Sequence, residues 1–157
     1  MVFVLLSTRL VLTVRLTPRA IMETSHNGSL RILIVEDFAD CAKTTATLLR
    51  HLGHTVQIAS NGPAALDVCR ADRPDAVLLD IGLPGMSGYD FAQSLRAEFG
   101  TATPPLIALT GYGQTSDRQR SAAVGIDIHL VKPVDFKELK VVLESLPKTP
   151  GKPPVDC

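Results

Sequence analysis

Five short apolar runs recur along the chain at regular intervals. They are "RILIVED" (Arg31–Asp37), "TVQIAS" (Thr55–Ser60), "DAVLLD" (Asp75–Asp80), "PLIALT" (Pro105–Thr110) and "IDIHLVK" (Ile126–Lys132). The stretches between them have helical spacing. Phe38–Leu52 places Leu48, Leu49 and Leu52 on one face, and Gly53 follows as a C-terminal stop. Ala64–Ala71 reads as a helix with Pro63 in its first turn. Tyr89–Phe99 is amphipathic, Ser116–Val124 is a short helix, and Asp135 caps a final helix that runs to Leu146.

This alternation makes five β/α units. Several of the strands are apolar throughout, as strands are when helices cover both faces of a parallel sheet. The expected fold class is therefore α/β, a doubly wound five-stranded parallel sheet with right-handed crossovers. In such sheets the functional site lies beyond the carboxyl ends of the strands. The residues at those ends are Glu36 and Asp37, then Asp80, then Thr110 with Gly111, then Lys132 with Pro133. Any one of them alone reads as a solvated loop charge. Three acids, a hydroxyl and an ammonium gathered on one edge call for a shared purpose.

The purpose follows from the chemistry of these groups. Clustered carboxylates hold a hard cation, and Mg²⁺ favours one or two of them with waters and phosphate oxygens. An aspartate can act as nucleophile and form an aspartyl phosphate. A lysine and a hydroxyl can hold the transferred phosphoryl oxygens.

Composition removes other classes. The chain has 157 residues, enough for one domain with a full core, and its formal net charge is zero. From Leu30 to Pro147 there are 11 Lys/Arg and 14 Asp/Glu, a net of −3, with no basic stripe for nucleic acid. There is no Trp, and the aromatics are too scattered to stack bases. Cys41, Cys69 and Cys157 are odd in number and form no C-x-x-C, which argues for reduced thiols and a cytoplasmic setting. Cys41 and Cys69 read as small buried or half-buried helix residues.

Residues 1–29 read as an N-terminal extension. Val2–Leu16 is apolar, but Arg9 and Arg15 interrupt it, so it is too short and too charged to span a membrane, and it has no clear signal-peptide form. Met22 offers an alternative start, and "SHNGS" (Ser25–Ser29) reads as a disordered lead-in. Residues 30–146 form the domain, and 147–157, with four prolines, read as a flexible tail.

The chain resembles the receiver domain of two-component response regulators, of the stand-alone, single-domain type. The acidic pair Glu36-Asp37, Asp80 in "LLDIGLPGMSGYD", Thr110 in "ALTGYG" and the pair Lys132-Pro133 carry the resemblance. They are spaced 43 residues from Asp37 to Asp80, 30 to Thr110 and 22 to Lys132. The resemblance implies a flavodoxin-like sheet of strand order 2-1-3-4-5. It implies that Asp80 is the phosphoacceptor and that Mg²⁺, with Mn²⁺ able to substitute, is held by Glu36, Asp37, Asp80 and the backbone carbonyl of Gly82. Lys132 then pairs with the phosphoryl group, and Thr110 and His129 act as the switch. Pro84, Gly88 and Pro133 shape the loops, Gly85 and Gly88 are candidates for positive φ, and the bond before Pro133 is often cis in this family. The implied donor is a histidine kinase or a histidine phosphotransfer protein. The output is an altered surface over residues 116–146, read by a protein partner, with no direct contact to nucleic acid and no membrane span. Such a domain is a phosphoacceptor with self-catalysed transfer and slow autodephosphorylation rather than a turnover enzyme.

The chain reads alternatively as the receiver fragment of a larger hybrid kinase or regulator. A phosphatase of the haloacid dehalogenase type needs a second acid two residues after the nucleophile, where this chain has Gly82. A flavodoxin-like carrier needs a phosphate loop after the first strand, where "EDFAD" is acidic. A degenerate receiver used only for docking is at odds with the full set of site residues. At position 129 the family usually has Tyr or Phe, so an inward-turning imidazole and a strand-edge partner contact both stay open. His51 and His54, either side of Gly53, suit a helix C-terminus as cations, and His26 lies in the lead-in.

Overall fold

A computed structural model describes residues 28–111 and 123–146. Its sheet has five parallel strands: β1 (Arg31–Val35), β2 (Thr55–Ala59), β3 (Ala76–Asp80), β4 (Leu106–Thr110) and β5 (Ile128–Val131). Their order is β2-β1-β3-β4-β5, as the resemblance implied. β3 and β4, near the middle, are buried at every position, while β2 at the edge is largely exposed. The described helices are α1 (Ala39–His51), α2 (Gly62–Ala71), α3 (Gly88–Phe99) and α4 (Phe136–Ser145). None of them is long and apolar enough to cross a membrane. The expected helix over Ser116–Val124 lies almost wholly outside the described residues, as do residues 1–27 and the tail after Leu146.

Side chains alternate across the sheet and build two cores. One packs Leu33, Val35, Val77, Leu79, Leu106 and Ala108 against α2 and α3. The other packs Ile32, Ile34, Leu78, Ile107, Leu109 and Leu130 against α1 and α4.

The helix ends follow local chemistry. Asn61 caps α2 by accepting the Ala64 N–H at 2.9 Å, and Pro63 lies in the first turn. Asp135 caps α4 by accepting the Lys137 N–H at 2.7 Å. α1 ends in a Schellman motif: Gly53 has φ +90°, its N–H reaches Arg50 O, and the His54 N–H reaches Leu49 O.

Three expectations need correction. The buried face of α1 is Ala42, Ala46 and Leu49, while Leu48 and Leu52 are exposed. The alanines pack close beneath the sheet, and the two bulkier leucines fall on the solvent side. Cys69 is buried as expected, but Cys41 is exposed. His54 is half-buried, and its Nδ1 accepts the Leu30 N–H at 3.3 Å. Burial pulls its pKa down, so it is not the helix-end cation expected.

Candidate functional site

The same alternation decides which strand-end residues meet. Asp80 lies two residues beyond Leu78, and Lys132 two beyond Leu130, so both continue the α1/α4 side of the sheet. Glu36 continues the same series after Ile32 and Ile34. Three ladder bonds extend the strands far enough to hold these groups. The Glu36 N–H reaches Ala59 O at 3.1 Å, the Ile81 N–H reaches Leu109 O at 3.3 Å, and the Lys132 N–H reaches Thr110 O at 2.7 Å.

The side chains converge. Lys132 Nζ donates to Asp80 Oδ2 and to Glu36 Oε2, each at 2.8 Å. Glu36 Oε1 accepts the Phe38 N–H at 3.3 Å, and Asp80 Oδ1 accepts the Gly82 N–H at 2.8 Å. Asp37, half-buried, completes an acidic group in which Glu36, Asp37 and Asp80 each offer an oxygen within 4.8 Å of the others. Three carboxylates face one ammonium, so the cluster is net negative. Its all-oxygen donor set suits a hard cation.

The electrostatics carry that strain. Burial raises the Glu36 pKa, and the Asp80 charge adds to the rise against the opposing pull of Lys132. Burial pulls the Lys132 pKa down, but the bonds and charges of Asp80 and Glu36 outweigh it and the net shift is upward.

Thr110 is buried and lies on the other side of the sheet from Asp80. His129 is half-buried and pairs in register with Ala108, two residues before Thr110, so it shares the Thr110 side. The Lys132–Pro133 peptide bond is cis.

The loop after Asp80 is built for close approach. Gly85 has φ +81°. Gly88 does not have the positive φ expected of it as a candidate. A Cβ at Gly88 would lie 2.6 Å from the Asp80 carbonyl oxygen and 2.8 Å from Ile81 Cα, so glycine lets α3 start against the end of β3. Ser87 and Asp90 form a capping box, with Ser87 Oγ accepting the Asp90 N–H and Asp90 Oδ2 accepting the Ser87 N–H, both at 3.2 Å. Sequence reasoning missed this pair, although the S-x-x-D spacing was its signal. At Gly82 a Cβ would lie 3.5 Å from Asp80 Oδ1, an ordinary contact.

The model of the response regulator receiver domain matches residues 32–144. The DNA-binding response regulator MtrA of Mycobacterium leprae is 39% identical over 109 residues, covering 69% of this chain and 47% of its own length. The probable transcriptional regulator ycf27 of Porphyra purpurea is 36% identical over 121 residues, covering 77% and 49%. The chain thus spans about half the length of these curated relatives. Among solved structures, chemotaxis protein CheY4 of Vibrio cholerae superposes with a TM-score of 0.72 at 26% identity, covering 76% of this chain and 99% of that one. The receiver domain of a sensor histidine kinase of Pseudomonas aeruginosa, with a magnesium ion coordinated in its active-site cleft, gives 0.69 at 31%, covering 75% and 97%. With the family's model spanning its sheet and helices, and its acids gathered at the sheet's carboxyl edge, the chain belongs to the response regulator receiver domains of two-component systems.

Proposed function

We propose that Asp80 accepts a phosphoryl group from the phosphohistidine of a histidine kinase or a histidine phosphotransfer protein. The observation that carries this reading is the double contact of Lys132 Nζ with Asp80 and Glu36, with Asp37 alongside. An Asp80 carboxylate oxygen attacks phosphorus, and the bond from phosphorus to the donor's ring nitrogen breaks, its electron pair staying on that nitrogen. Lys132 holds the carboxylate in place beforehand and then pairs with the phosphoryl oxygens. Glu36, Asp37, Asp80 and the carbonyl of Gly82 are the proposed Mg²⁺ ligands. A bound Mg²⁺ supplies charge neutralisation for the phosphoryl oxygens. Water later hydrolyses the acyl phosphate slowly, so the domain works as a switch.

In the proposed readout, Thr110 moves toward the phosphoryl group and the His129 ring turns into the space left behind, shifting a pre-existing balance of states. The surface over residues 116–146 then meets a protein partner in the cytoplasm, without direct contact between this domain and nucleic acid. An NMR titration of the His129 ring with and without beryllofluoride tests the switch. An unchanged shift and pKa leave His129 as a strand-edge contact.

The primary test is incubation with acetyl phosphate and Mg²⁺, read by intact mass. One added phosphoryl group, absent in Asp80→Asn, is the expected result. An Asp80→Asn protein that gains the same mass sinks the assignment.

A further inference from the structure

The exposed side of α1 carries a second hydrophobic line. Phe38, Cys41, Thr45, Leu48 and Leu52 recur at steps of three, four, three and four residues, the spacing of a helix-pairing seam. Phe38 is the N-cap of α1 and Leu52 its C-cap. Phe38 is 69% exposed, Leu48 38% and Leu52 41%. They are three of the six large hydrophobic side chains exposed among the described residues, and one helix carries them all. That concentration sets them apart from scattered surface apolar residues. Beside the line runs a groove of about 640 Å³, with Asp40, Cys41, Thr44 and Thr45 on one wall and Val134 and Phe136 on the other.

A polar line borders the seam. At 3.6 residues per turn, Asp40, Thr44, Thr47 and His51 stack on its solvent side, and all four are exposed. The acid is at the start of α1 and the imidazole at its end. This arrangement is self-complementary. If a second α1 lies antiparallel across the first, Phe38 meets Leu52 of the second copy, and Thr45 falls near the two-fold axis. Asp40 then meets His51 of the second copy, twice over. A parallel pairing would set Asp40 against Asp40. The seam from Phe38 to Leu52 is about 21 Å long at 1.5 Å per residue, so the contact is a small one.

We propose that this face is a self-association surface on which two copies pair α1 against α1, antiparallel, in a weak isologous dimer. Because the groove reaches Glu36 and Lys132, pairing also narrows the approach to the acidic site from the side of α1. The proposal does not depend on the phosphoacceptor chemistry.

The test is light scattering and sedimentation of the full chain over a concentration series into the hundreds of micromolar. The mean mass is expected to rise from 16.8 kDa toward about twice that value. Leu48→Glu should stay monomeric throughout while unfolding at the same temperature as the parent, because Leu48 is outside the core. Asp40→Lys alone and His51→Glu alone should each lose association, and an equimolar mixture of the two should regain it, since the mixed dimer sets the new lysine against the new glutamate and restores one Asp40–His51 contact. Three outcomes overturn the proposal. One is a parent chain that is monomeric at every concentration. In that case, loss of protein-donor phosphorylation in Leu48→Glu would assign the face to a donor's helix, and dimerisation of a chain starting at Met22 would assign it to the N-terminal extension. The second is a Leu48→Glu protein that still dimerises. The third is a mixture no more associated than its components.

Discussion

The ammonium of Lys132 lies 2.8 Å from Oδ2 of Asp80, across 52 residues of sequence. The contact joins the ends of β3 and β5, two strands separated in the sheet by β4. Lys132 holds Glu36 at the same distance, so one cation ties together the ends of three strands. Removing it leaves two carboxylates facing each other in a partly buried place. Lys132→Ala is expected to lower stability by about 1–2 kcal/mol at neutral pH, allowing for partial solvent screening. Urea unfolding measures this, and an unchanged midpoint would show that the contact contributes nothing net.

Glu36 gives a pH dependence of definite sign. Burial raises its folded-state pKa above the ordinary 4.5. The folded protein therefore binds its proton more tightly than the unfolded chain does, and this group's contribution to stability falls as pH rises from about 4.5 through the raised value. Glu36→Gln removes that loss and can still accept a bond from Lys132. The variant should be more stable than the parent at pH 7, with the gap closing as pH falls toward 4.5. A gap that widens on acidification would reverse the assigned shift.

Asp37 separates metal binding from folding. It is half-buried, where Glu36 and Asp80 are buried. Asp37→Ala should leave the fold as stable as the parent or more so, because a like charge is gone. Its Mg²⁺-dependent phosphorylation should slow by at least the about 10–100-fold seen when groups supporting a metal are lost. Phosphorylation by acetyl phosphate at the parental rate would remove Asp37 from the ligand set.

The glycines after Asp80 make a graded series. Gly88→Ala forces a methyl group against the backbone at Asp80 and Ile81, and should cost about 1–3 kcal/mol. Gly85→Ala is in open space but at φ +81°, and should cost about 1–2 kcal/mol. Gly82→Ala meets only an ordinary contact and should change little. Thermal unfolding of the three variants reads the order, and Gly82→Ala as the worst of them would contradict this geometry.

Thiol labelling at pH 8 should distinguish the two described cysteines. Cys69 is buried and its thiol pKa is pushed up to about 11 by that burial. Cys41 is exposed. Mass-spectrometric mapping is expected to find Cys41 modified quickly and Cys69 only after unfolding. Equal rates at both would mean that α2 opens readily.

β3 and β4 were legible because they are buried on both faces, which makes each a short unbroken apolar run too brief for a helix. The strand-end residues were legible for the same reason, since a charge that follows such a run has one edge to occupy. α1 was misread because helical period allows two stripes in it, and leucines weigh more in a hydrophobic pattern than alanines do. The sheet needed small residues beneath it, so Ala42 and Ala46 went inward and Leu48 outward. The role of Gly88 was legible only as a glycine. Its reason, the nearness of the Asp80 carbonyl, arises where α3 packs on β3, and no spacing in the sequence records it.

Asp80, Glu36 and Lys132 lie on the α1/α4 side, while Thr110 and His129 lie on the α2/α3 side. On the proposed reading, the place where charge arrives and the place where it is reported are separated by the thickness of a single strand. Variation behind one can retune how long the signal lasts without altering its meaning, and variation behind the other can change the audience without altering the clock.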